Sequence, residues 1–204
     1  RLSKTLTLDD LYSELMNKIA EKLNDRGLKS DEITEFTALK LLAYQDLTSG
    51  SLSGEEVSKV AKDLGSDIDK LFSVGLLKVV GAEQKVKTLK HSARRGIDEQ
   101  PVGLANTKFA FVHPSILSYL AASHAKDLLT LEKNSSIAKK AAEFISSHRD
   151  EKHYQMFLKF LAGMVSGVED KDQIAIIRFW EAISCELDET VETGMNGSVT
   201  LWMN

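Results

Sequence analysis

The stretch KFAFVHPSILSYLAASH, Lys108 to His124, carries two periodicities with a joint between them. Phe109, Phe111 and His113 alternate with Ala110 and Val112, the period of a strand. From Pro114 onward Leu117, Leu120, Ala121 and Leu128 recur at helical spacing. Proline is favoured in the first helical turn, where its missing N–H leaves no intrahelical bond unmade. His113 therefore stands where a strand ends and a helix begins. A side chain at such a joint is held by backbone on both sides, so it can be aimed at something.

Working back toward the N-terminus, LLKVV, Leu76 to Val80, reads as a strand that pairs with KFAFVH. The intervening residues 81–107 show no period and read as a long loop. Before them come three helical patterns. SDIDKLFSVG reads as a short helix capped by Ser66. SGEEVSKVAKDLG has Ser53 three residues before Glu56, the spacing of a capping box, and Gly65 as its stop. SDEITEFTALKLLAYQDL has Ile33, Phe36, Leu39, Leu42 and Ala43 on one side. The segment TSGSLSG between the last two reads as a loop. Three helices followed by two strands and a long loop form the pattern of a winged helix, with the loop as its wing. Further upstream, TLDDLYSELMNKIAEKLNDRG predicts a helix capped by Thr7 and ended by Gly27. Its apolar residues are Leu8, Leu11, Leu15, Ile19 and Leu23, with Tyr12 and Met16 beside them.

Downstream of Pro114 the chain is helical to near its end. SSIAKKAAEFISSH groups Ile137, Ala141, Phe144 and Ile145, and EKHYQMFLKFLAGMVSG groups Tyr154, Phe157, Leu158, Leu161 and Val165. DKDQIAIIRFWEAISCELDE is apolar nearly all round its middle, a pattern of helices that dock a neighbour. The expected class is mainly α, with a winged-helix domain over 30–115 and a helical, superhelical domain over 116–190. Residues 1–29 read as the end of a preceding helical domain and 191–204 as a tail.

Composition narrows the function. In 204 residues, 43% are apolar and 27% charged, with a net charge of −4, which suits a globular domain and opposes a protein that coats nucleic acid or anionic lipid. Of 26 basic residues only six are Arg, the residue suited to bidentate phosphate clamps. The single Cys185 excludes an internal disulfide and fits a cytoplasmic setting, and its apolar helix makes it an inert thiol. No apolar run is long enough to cross a bilayer. The opening on Arg1 and the end at TLWMN read as those of a piece of a longer chain.

Catalytic patterns are missing. There is no Gly-rich Lys loop and no dinucleotide fingerprint, and GSLSG at 50–54 has Leu52 where a nucleophile elbow needs Ser. His91, His113, His124, His148 and His153 include no pair at the i, i+4 spacing of a helical zinc site. The one basic cluster, Lys85, Lys87, Lys90, His91, Arg94 and Arg95, has no aromatic residue for base stacking. The helix that would read DNA carries Asp67 and Asp69 against Lys70, so nucleic acid is not the expected partner.

FAFVHPSILSYLAA resembles the end of the winged-helix domain in NACHT-type STAND signalling NTPases, the group that includes the NOD-like receptors. The matching residues are Phe111, His113, Ser115, Tyr119, Ala121 and Ala122. LDDLYSELMNKIAEKL is similar to the last helix of that family's first helical domain. ALKLLAYQDL and LFSVGLLKVV are similar to its winged-helix body, and MFLKFLAGMVSG to a helix of its second helical domain. Leu117 and Ser118 stand where the family has Gln-Glu, and Pro114 where an aliphatic residue is common.

The resemblance implies a regulatory module that catalyses nothing itself and holds a nucleotide-binding domain of the same parent chain in an ADP-bound, autoinhibited state. It implies that His113 contacts a phosphate of the nucleotide, ADP or ATP, bound by the parent protein, with no cofactor or metal in this stretch. The other readings of the residues are a winged-helix adaptor that grips a protein partner through Phe179 and Trp180 and, behind it, nucleic-acid binding through the basic wing from Lys85 to Arg95.

Overall fold

The structure is a computed structural model that describes residues 7–25, 32–66, 68–80, 107–132, 135–166 and 173–184. The expectations for the 81–106 wing, the basic cluster from Lys85 to Arg95, Cys185 and the tail fall outside them. The described residues are mainly helical, with one small antiparallel sheet.

Helix α1 (Leu8–Asp25) starts as expected from Thr7. Thr7 Oγ1 accepts from Asp10 N at 3.3 Å, and Asp10 Oδ2 accepts from Thr7 N at 3.1 Å. The face it buries differs from the expected one. Leu8, Leu11 and Leu15 are exposed, while Met16 is buried and Tyr12 and Ile19 pack against the core. Apolar residues span about half of this helix's circumference, a wider arc than its contacts bury, so periodicity alone does not say which edge of that arc faces inward. Tyr12 decides it, because its ring nests against Tyr119 and Phe160, with centroids 5.5 and 4.8 Å away.

Helix α2 (Glu32–Ser49) is the axis of the N-terminal half, with Ala38, Leu39, Leu42 and Ala43 fully buried. Strand β1 (Leu52–Ser53) follows, then α3 (Gly54–Asp63). The expected capping box is present: Ser53 Oγ accepts from Glu56 N at 3.3 Å and Glu56 Oε2 accepts from Ser53 N at 2.8 Å. The hydroxyl of Ser66, expected to cap the next helix, donates to the buried Glu35 on α2. Helix α4 (Ile68–Ser73) ends at Gly75, whose φ of +77° turns the chain into β2 (Leu77–Val80) through a conformation that costs a residue with a Cβ.

β3 (Lys108–Phe111) pairs with β2 as expected, Leu77 opposite Phe111 and Val79 opposite Phe109. Its other edge pairs with β1, giving the order β1-β3-β2. β1 lies in the segment expected to be a loop. Two residues carry no readable period, and only β3 supplies their partner. Phe109 and Phe111 are buried beneath the helices, with Phe72 5.1 Å from Phe109.

Helix α5 (Pro114–Leu129) lies between α2 on one side and α7 (Gln155–Ser166) on the other. Ala121, Ala122 and Ala125 are fully buried, and their small side chains let α5 approach its neighbours closely. Helix α6 (Ser136–His148), a 3₁₀ turn (Lys152–Tyr154) and α8 (Gln173–Ser184) complete the C-terminal half. In α6, Ala138, Ala141 and Ile145 are buried, whereas Ile137 is exposed. One cluster of buried side chains runs from α2 through α5 to α8, continuous across position 115. No helix among the described residues is long and apolar enough to cross a membrane.

Candidate functional site

His113 sits at the joint where the sequence places it, two residues past the end of the central strand. Val112 N donates to Leu76 O at 3.0 Å, which ties the joint to the start of β2. His113 itself is extended (φ −145°, ψ 138°) and is the N-cap of α5, with Pro114 in the first turn. Its carbonyl accepts from Ile116 N and Leu117 N at 3.1 and 3.2 Å. Strand, cap and helix thus fix the backbone on both sides of an exposed imidazole.

The ring is oriented by hydroxyls. Nδ1 accepts from Ser115 N at 3.2 Å and lies 2.5 Å from Ser115 Oγ. Ser115 Oγ in turn accepts from the Tyr12 hydroxyl of α1 at 2.6 Å. Since the Ser115 N–H points at Nδ1, that nitrogen carries a lone pair, and hydrogen-bond matching assigns the proton of the neutral ring to Nε2. The arrangement presents one directional N–H donor, suited to an anionic oxygen such as a phosphate's. The helix's own first-turn donors are largely engaged: Pro114 has none, Ser115 N is on Nδ1, and Ile116 N is on the His113 carbonyl. Donation to an anion here falls to the imidazole.

Tyr12 and Ser115 complete the site and were not singled out by sequence as a pair. Tyr12 reads as one apolar residue of α1, and the bond spans 103 positions, so no local pattern announces it.

The other three histidines among the described residues pack against aromatic side chains. His148 Nδ1 lies 2.8 Å from Phe144 O, and its ring sits between Phe144 and Tyr154 at 4.4 and 4.5 Å. His153 rests against Tyr154. His124 is half-buried against Tyr44 at 5.3 Å, and burial pushes its pKa down, with Lys40 adding to the effect and Asp127 opposing it. Among the described residues no group of three or more His, Cys, Asp or Glu is placed to hold a metal ion.

The two aromatic residues expected to grip a partner are separated. Trp180 is 51% exposed on α8, but Phe179 is only 3% exposed and belongs to the core. Adjacent positions on a helix point about 100° apart, so one of them faces inward. Beside this helix a groove of about 540 Å³ lies between α6 and α8, with Ala138, Ala142, Ile174 and Ile177 among its lining. Trp180 does not line it.

Comparison with family models, curated proteins and solved structures finds no match to this chain.

Proposed function

We propose that this chain is the winged-helix and following helical module of a NACHT-type signalling ATPase, acting in the cytoplasm. It holds the nucleotide-binding domain of its parent protein in an ADP-bound, autoinhibited state and hydrolyses nothing itself. The element order supports the winged-helix reading: three helices with a short strand after the first, then two further strands, in a sheet ordered β1-β3-β2. The observation that carries the functional reading is His113, exposed at the strand-to-helix joint, with Nδ1 engaged and Nε2–H left as a donor. Rigid-body movement of such a module away from the nucleotide is the expected activation step. The test is the nucleotide content of the purified parent protein. His113→Ala is expected to lower the bound ADP, and an unchanged content counts against the reading.

The exposed Ile174 and Ile177 along the α6–α8 groove favour a second reading, an adaptor that docks an amphipathic helix of a protein partner. A stable partner complex lost on Ile177→Asp, formed without any nucleotide-binding domain, would favour it. Nucleic-acid binding is disfavoured, because α4 presents Asp69 in its first turn where a recognition helix needs positive charge.

A further inference from the structure

The hydrogen bonds around His113 extend to a group that lies on another helix. Tyr12 of α1 reaches Ser115 of α5, and its ring is clamped by Tyr119 and Phe160, so the direction of its hydroxyl is set by α1 docking. A serine hydroxyl has one proton to give. When the Tyr12 O–H fills one lone pair on Ser115 Oγ, it polarises the Ser115 O–H and strengthens its donation to His113 Nδ1, 2.5 Å away, which also accepts from Ser115 N.

We propose that Tyr12 is a positioning residue: by docking, α1 directs the Ser115 hydroxyl into Nδ1 beside the Ser115 N–H, adds to the preference for the Nε2–H tautomer of His113, and so strengthens its remaining donor. When α1 withdraws, only the Ser115 N–H, at 3.2 Å, still holds Nδ1 as an acceptor, and Ser115 Oγ can turn to accept from Nδ1–H, so the share of rings with a proton on Nε2 falls. The packing makes α1 a lever on this joint. It lies along α7 so closely that a Cβ on Gly163 would stand 2.7 Å from Asp9 Oδ1. The consequence for a phosphate rests on the reading of His113 given above, but the relay is a property of this chain's own groups.

The test is ¹⁵N NMR of the imidazole nitrogens in histidine-labelled chain, with the His113 signals assigned by their loss in His113→Gln. Wild type is expected to show a lone-pair Nδ1 and a protonated Nε2. Tyr12→Phe keeps the ring between Tyr119 and Phe160, so the fold is retained. It should move the tautomer ratio toward Nδ1–H by about fivefold, the population weight of one net hydrogen bond. Ser115→Ala should move it in the same direction. A protonated Nδ1 in the neutral wild-type ring overturns the proposal. So does a Tyr12→Phe ratio equal to wild type, whatever Ser115→Ala does. If these shifts are found and His113→Ala leaves ADP in the parent protein unchanged, the relay stands and the nucleotide reading falls.

Discussion

His124 shows how burial and proton binding are linked in this chain. Its ring is half-buried against Tyr44, and burial holds its pKa below the ordinary 6.5. Lys40, which also pairs with Asp127 at 3.3 Å, adds to the depression. A depressed folded-state pKa means that the unfolded chain binds the proton more readily, so this contribution to stability is full above pH 6.5 and is lost as pH falls through the folded value. Tyr44, pushed up to about 12 by burial, stays neutral throughout. The melting temperature should therefore drop between neutral pH and roughly pH 5. His124→Gln should flatten that slope even though it loses the ring contact. An identical slope in the variant would contradict the assignment. At this scale the sequence marked His113 correctly as the residue at the joint, because a strand period and a proline-started helix meet there. It could not mark Tyr12 and Ser115 as that residue's support, since their pairing exists only after α1 docks on α5.

Elements were legible where their signals are local. The capping box of α3 is written in four consecutive residues, Ser53 to Glu56, and both of its bonds form. Ser53→Ala removes the acceptor for Glu56 N and should cost about 1 kcal/mol, measured by urea denaturation. The first cause of the lowered Glu56 pKa, the bond from the Ser53 backbone N–H to its carboxylate, remains in this variant, and only the smaller contribution of the Ser53 hydroxyl is lost, so the pKa should rise in part. Elements defined by partners were less legible. β1 is two residues whose identity as strand depends on β3, and the buried side of α1 depends on Tyr119 and Phe160 from two other helices. The same holds for α8, where an all-round apolar sequence did not distinguish the buried Phe179 from the exposed Trp180. That helix lends its inner side to the core and leaves Ile174, Ile177 and Trp180 outside.

Across the whole molecule, α5 joins the two halves, and the aromatic nest of Tyr12, Tyr119 and Phe160 joins α1 to both α5 and α7. Phe160 is buried at the centre of this nest. Phe160→Ala should destabilise the chain by about 3–5 kcal/mol, read by chemical denaturation. It should also loosen α1 and with it the hydroxyl that feeds Ser115. The mainly helical class and the β2–β3 pairing follow from patterns in the sequence, whereas the single core running across position 115 does not, because α2 and α7 meet α5 only in space. The central claim is that this fold holds out His113 to a nucleotide phosphate in its parent protein. The measurement that reaches it most directly is the rate at which the parent protein releases ADP, with and without His113→Ala. A hydrogen bond to a charged group is worth enough that release should accelerate about tenfold or more. An unchanged release rate, in a variant that folds as wild type does, would contradict it.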